Sequence, residues 1–380
     1  MMITDALLGD GRRVDITVAD GRVAAISAHA GRAGETHLAG ALLLPGLVEG
    51  HVHLDKTLMG LPWRPNAPAP SVRGRIEYER THRGGIGPVQ PRARALMDRM
   101  IAAGTVAVRT HTDIDDAYGL ANFHAVLEVV QEYRAKLPIQ IVAFPQSGIT
   151  TRPGVADLLD AALSEGADLV GGLDPVTIDG DQKGHLDIVF RLAAKHGKGI
   201  DIHLHDRDAG GNAQLRDIAA RSLAAGMQGH VTVSHAFSLG TDDENDFAAT
   251  ADALAKGGVA ILTSAPGPTT MPPVKPLRAR GVTIYGGNDN IRDLWSPYGN
   301  GDMLERAWMI AQKQGFRSDE DLALAYDVCS TEGAKILGLP AHGITVGAPA
   351  SFVALPAESL AEAIAERPRS RAVWLAGIKQ

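Results

Sequence analysis

The chain of 380 residues is 45% hydrophobic but only 4% aromatic, enough apolar material for one large domain or two. A formal net charge of −7 with no Lys/Arg run excludes an electrostatic nucleic-acid surface, and no apolar stretch is long enough to span a bilayer. The acidic start "MMITDALLGDGRR" lacks the basic and apolar parts of a secretory leader, and the single Cys329 can form no internal disulfide, so a cytoplasmic location is expected.

Residues 1–45 read as short strands cut by turns: "RVDITVAD" alternates with period two, and Asp10-Gly11 and Asp20-Gly21 are hairpin signals. After Pro45, β-rich runs alternate with Ala-rich helical patterns. Strands are expected at 47–53, 105–111, 139–145, 168–173, 199–205, 230–235, 258–263 and 282–287, with helices at 119–135, 154–165, 183–197, 212–226 and 244–256. Eight such units predict an α/β fold with a (β/α)8 TIM barrel over 46–340. An open doubly wound sheet is the alternative, but the glycine-rich phosphate turn it usually carries after the first strand is missing. Residues 341–380 return to strands in "ASFVALP" and "AVWLAG", so they are expected to join 1–45 in a small β-sandwich. "LPWRPNAPAP" (61–70) reads as an ordered loop over the barrel mouth, and Cys329 as a core thiol.

In such a barrel the chemistry sits at the C-terminal strand ends. The expected ends carry His51 and His53, Thr110 and His111, Gln146, His203 and His205, His235, and Asp289. Residues i and i+2 of a strand share a face, so His51 and His53 point together into the mouth. A single histidine reads most simply as a hydrogen-bonded core residue, but six of the fourteen fall at strand ends, which favours a site. Neutral imidazoles with one carboxylate suit a borderline divalent cation such as Zn2+ or Fe2+. His82, His124, His185, His196 and His342 lie on helices or loops and read as structural or solvated.

The segments "HVHLDK", "HLHD", "SHAF" and "GGNDN" resemble the amidohydrolase superfamily in its cytosine-deaminase-like branch. "VRTHTD", "IVAFPQSGI", "GADLVGGL" and "NDNIRDLWSPYGNGDML" extend the resemblance over essentially the whole chain. It implies an aminohydrolase in which His51, His53, His203 and Asp289 hold one divalent ion, with His235 beside the reacting water. Binuclear relatives add a carboxylated lysine at the end of strand four. "LVGGLDP" has no lysine, which implies a single ion. Two positions depart from cytosine deaminases: Asp206 stands where they carry glutamate, and Asn290 where they carry a second aspartate. Together with His205 and Lys56, these positions resemble the s-triazine aminohydrolases of the same branch, which act on N-alkylammelides.

The resemblance implies hydrolysis of an exocyclic C–N bond on a small s-triazine or pyrimidine, with release of ammonia or an alkylamine. Asp289 and His235 would move the proton of the water, and His205 and Asp206 are candidates for its delivery to the leaving nitrogen. Lys56 is expected at the rim, as a cation favouring an acidic, oxygen-rich ring. Gln146 and Asn290 would pair with amide-like ring edges, Trp295 would cover the ring face, and His111 and Asp113 would support the metal ligands. Cytosine deamination, cyclic-amide hydrolysis and a catalytically silent metal-binding role are the alternatives. A small heterocycle is the expected partner, without nucleic acid or membrane, and homo-oligomerisation stays open.

Overall fold

A computed structural model describes residues 1–31, 34–67, 71–339 and 341–380. The larger sheet contains β1 (Leu47–Val52), β2 (Thr105–Asp113), β3 (Ile139–Phe144), β4 (Leu169–Leu173), β5 (Gly199–Leu204), β6 (Val231–His235), β7 (Val259–Thr263) and β8 (Ile284–Gly286). Every neighbouring pair is parallel and follows chain order. Just past β8 the chain returns to β1, where the Asp289 N–H donates to the His51 carbonyl at 2.7 Å and Val52 bridges Asp289. The ring of strands thereby closes into a barrel.

The sequence dictates this through burial. Strands β1, β2, β4, β6 and β7 are buried at every residue, as strands covered on both faces must be. The expected helices form at Ala121–Tyr133, Val155–Glu165, Gln182–His196, Ala209–Ala224 and Glu244–Gly257. Three start on an aspartate, Asp181, Asp208 or Asp243, whose carboxylate accepts first-turn backbone N–H groups. Cys329 caps the helix Asp319–Val328 and is fully buried, which raises its thiol pKa and leaves it a core residue.

The terminal segments form one mixed sheet. Its path runs Ile378–Lys379, Ala372–Leu375, Phe352–Leu355, Leu42–Pro45, Met2–Leu8, Arg13–Ala19, Arg22–Ala28. Leu42–Pro45 joins the halves, antiparallel to Phe352–Leu355 and parallel to Met2–Leu8. The far edge curls back: Val23 exchanges hydrogen bonds with Gly347 and Ala348 at 2.8 and 2.9 Å, and the Ala350 N–H donates to the Gly21 carbonyl at 2.8 Å. A single sheet thus encloses its own core of Ile3, Ile16, Leu43, Phe352 and Trp374. The chain passes from this sheet into β1 through Gly46, where a Cβ would lie 2.1 Å from Val106.

At the barrel mouth, Asn66 and Ala67 accept hydrogen bonds from Arg75, and the Asn66 amide donates to the Asp293 carbonyl, so this part of the Pro-rich loop docks on the segment after β8. The end of that expected loop, residues 68–70, lies outside the described residues. Among the described residues, no helix is long and apolar enough to cross a membrane.

Candidate active site

Period-two alternation stacks polar side chains inside the barrel in layers. Arg109 and Asp201 lie lowest, joined by a 3.0 Å contact, and Arg109 also donates to Gln140 and Tyr285. Two residues further along β2 and β5 come His111 and His203, their ring centroids 4.7 Å apart. His51 stacks on His111 at 3.8 Å. Asp289 approaches from the turn after β8: its Oδ1 is 3.3 Å from His53 Nε2 and 3.6 Å from His51 Nε2, and its Oδ2 is 4.0 Å from His235 Nε2. Three non-glycine residues at these strand ends, Asp174, His235 and Asp289, hold positive φ of 36, 74 and 63°, a strained backbone that re-aims side chains where strands stop.

Above this layer is a cavity of about 170 Å³. His53, His203, His205, His235 and Asp289 line one side, with Lys56, Gln146, Asn290 and Trp295 around the rest and Phe144, Leu173, Phe237 and Pro266 as apolar wall. Burial together with nearby positive charge makes His51 and His203 hard to protonate, and burial beside His205 pushes His235 down to about 3. Burial alone would raise the Asp289 carboxyl, but the hydrogen bond from His53 and the surrounding imidazoles hold it far below the usual range. Neutral imidazoles therefore face an ionised carboxylate.

The other expected residues divide. Gln146 reaches the cavity, 5% exposed, and its Nε2 has no hydrogen-bond partner among the described residues. Asn290 lines the cavity while its Nδ2 donates to Asp293 at 2.7 Å. Trp295 is held by its indole N–H on Glu79 at 2.6 Å. His205 is oriented by Asp174, which takes Nδ1 at 2.8 Å and the backbone N–H at 2.6 Å. Burial opposes charge on His205, but the Asp174 carboxylate outweighs it and raises the pKa.

Two expectations need correction. Asp206 does not line the cavity: Thr177 and Gln214 donate to its two oxygens, so the side chain faces away from the ring where His205 faces in. Lys56 lines the cavity but is not an exposed cation at its rim. It is 3% exposed, with Nζ 3.0 Å from Glu79 and 3.2 Å from Asp113, and Arg83 pairs with Asp113 and Asp55 at 2.6 Å each. Asp113 thus belongs to this ion cluster as well as lying beside His53. Burial alone would lower the Lys56 pKa, but these carboxylates raise it, so the charge is present and already matched. His111 lies beneath the cavity, against His51 and Asp201.

Against this geometry stands the comparison with known proteins. The amidohydrolase family model matches residues 35–378. The chain belongs to the amidohydrolase family. The crystal structure of N-isopropylammelide isopropylaminohydrolase from Burkholderia multivorans superposes with a TM-score of 0.95 at 43% identity, covering 100% of this chain and 97% of that one. The N-isopropylammelide isopropyl amidohydrolase of Pseudomonas sp. (strain ADP) is 34% identical over 83% of this chain and 80% of its own length. The 5-methylcytosine deaminase of Klebsiella pneumoniae, liganded with 5-fluorocytosine, gives a TM-score of 0.88 at 26% identity over 100% and 97% of the two chains.

This amidohydrolase carries the residues a metal needs. His51 Nε2 and both ring nitrogens of His203 and His235 are buried without a hydrogen-bond partner among the described residues. Buried imidazole nitrogens left unpaired are costly unless something coordinates them. Donor atoms around a tetrahedral ion at about 2.0–2.1 Å lie about 3.3 Å apart. The 3.3 and 3.6 Å spacings at Asp289 match that. His51, His53 and His203 form one candidate ligand group, and His51, His235 and Asp289 another sharing the same residue. His51 Nδ1 is 3.0 Å from Ser234 Oγ, which donates to Asp201 at 2.8 Å, so Nδ1 carries the proton and Nε2 is left to coordinate.

Sequence reasoning missed the supporting carboxylates of the amidohydrolase site. Asp174 ends β4 in "GGLDP" and the strand-end rule could have found it. Asp201 lies two residues before His203, within reach of the same periodicity. Glu79 carried no such signal: it sits on the helix Val72–His82, where a glutamate reads as a solvated face, yet it is 4% exposed.

Proposed function

We propose that this enzyme hydrolyses an exocyclic C–N bond of a small nitrogen heterocycle, an s-triazine or pyrimidine, releasing ammonia or an alkylamine. One divalent transition metal, Zn2+ or Fe2+, would be held by His51, His53, His203 and Asp289. The observation that carries this reading is the set of unpaired imidazole nitrogens and one carboxylate facing a ring-sized cavity that also presents the unpaired Gln146 amide. A bound ion supplies the Lewis acidity that makes hydroxide available from water near neutral pH.

The residues do the rest. Attack of water oxygen on the ring carbon makes that carbon tetrahedral and requires loss of a proton from the water. Asp289 is ionised and takes it, and His235 Nε2, 4.0 Å from the second Asp289 oxygen, can share it. The amine leaves only when protonated. His205 is placed for this delivery: Asp174 takes Nδ1–H and favours the charged ring, so the second proton sits on Nε2 of an imidazolium that lines the cavity and stacks on His235 at 4.6 Å. Phe144 and Trp295 bound the ring site, and Gln146 offers its free N–H to a ring acceptor. The homologues named for N-isopropylammelide and 5-methylcytosine support this substrate class.

The test is a turnover panel of cytosine, isocytosine, ammelide and N-alkylammelides with metal-loaded protein, reading released ammonia or amine. Turnover of one or more supports the proposal, and metal-replete protein inert on the whole panel refutes it.

A further inference from the structure

Beneath Asn290 lies a carboxylate that the mechanism does not use. Asp293 is 3% exposed, and its Oδ1 accepts the backbone N–H groups of Trp295 and Ser296 at 2.7 and 2.8 Å. With Oδ1 locked in that turn, Oδ2 is fixed in place and accepts the Asn290 Nδ2–H at 2.7 Å. An amide that gives its NH2 to a carboxylate turns its carbonyl oxygen the other way. Asn290 Oδ1 takes no hydrogen bond from the described residues, and Asn290 lines the cavity. This wall therefore offers an acceptor, while Gln146 offers an unpaired donor.

We propose that Asp293, acting through Asn290, makes the site select a ring that donates an N–H at this wall, so that the heterocycle enters as a neutral lactam and not as a deprotonated anion. The inference rests on the heterocycle reading above. It replaces the expectation built on a free Lys56, whose charge Glu79 and Asp113 already match. A ring nitrogen that has lost its proton would meet the Asn290 carbonyl with two lone-pair acceptors face to face. A ring that keeps the proton completes the bond. Asp293 is a positioning residue here, and Asn290 determines specificity.

Uracil and its 1-methyl and 3-methyl derivatives carry lactam edges but no exocyclic amine to lose, and all are neutral at pH 7. Their binding to metal-loaded wild type, Asn290→Leu and Asp293→Leu is measured by calorimetry, beside the turnover panel. One methyl isomer is expected to bind wild type at least about ten-fold more weakly than uracil, because the carbonyl is left unpaired. In both variants that penalty should shrink below about three-fold. A purely structural role would weaken all three ligands alike and leave the ratio unchanged, which would overturn the proposal. Failure of uracil to bind while the aminoheterocycles turn over would overturn it too. An inert panel would instead remove the heterocycle reading, and this inference with it.

Discussion

Two buried polar clusters share the mouth of this barrel. Around Lys56, the charges of Arg83, Asp55, Glu79 and Asp113 are each matched by an opposite charge within 3.2 Å. Around Asp289, the nearest imidazoles stand 3.3 to 4.0 Å away, and most of their ring nitrogens have no partner among the described residues. The imidazoles and the Lys56 cluster are alike buried, and only the Asp289 side chain keeps 20% exposure, so burial barely separates them. Ion pairing does: the first is charge-paired within the protein, although Asp55 Oδ1 and Asp113 Oδ1 lack a hydrogen-bond partner among the described residues, and it braces the segment 72–83 across the mouth, while the second is complete only with something bound.

The contrast makes ranked predictions. Removing a ligand from the unsatisfied cluster should cost function and spare the fold. His203→Ala should lose its metal and all measurable turnover while keeping the thermal stability of chelated wild type, as elemental analysis and calorimetry would show. Removing a member of the charge-paired cluster should do the opposite. Lys56→Met takes from Glu79 its nearest cation and leaves Asp113 with Arg83 alone, and should destabilise the fold by about 3–5 kcal/mol in urea unfolding. Unchanged stability with selective loss of anionic-ring binding would restore the rim-cation reading.

Smaller effects come from residues that orient the ligands and the acid. Asp174→Asn should lower kcat roughly 10²-fold with metal content and KM nearly unchanged, measured in steady state. Ser234→Ala breaks the link between His51 and Asp201 and should weaken metal binding about 10–100-fold, read by competition with a chromogenic chelator. The smallest effect concerns acid stability. Asp179 accepts the Ile149, Thr150 and Thr151 N–H groups and His185, shaping the loop after Gln146. Burial alone would raise its carboxyl, but these bonds lower it. A depressed folded-state pKa contributes stability above the unfolded value of about 3.9, lost as pH falls through the folded value. Asp179→Asn should therefore reduce stability at pH 6 and flatten its decline below about pH 4 in acid titrations followed by circular dichroism.

What was legible in the sequence follows the same division. Period-two runs and strand-end histidines exposed the barrel and brought His51, His53, His203, His235 and Asp289 together, because strand register fixes where such residues point. The terminal segments were legible as partners because their alternation leaves one face uncovered, although the curl that lets one sheet enclose a core depends on pairing between Val23 and residues 347–348. The burial of Lys56 was not legible because its partner Glu79 comes from a helix 23 residues on, and no local pattern announces that contact. Asp206 was misread because hydrogen bonds from Thr177 and Gln214 decide its direction. Side chains set by their own strand are readable, and those set by a distant partner are not.

The central claim is that the unpaired imidazoles form a metal site, and metal content per chain tests it most directly. Elemental analysis of wild-type protein purified without chelator should find one equivalent of zinc or iron per chain, absent from His203→Ala. Two tightly held ions, or full turnover of the heterocycle panel by metal-free protein, would contradict it.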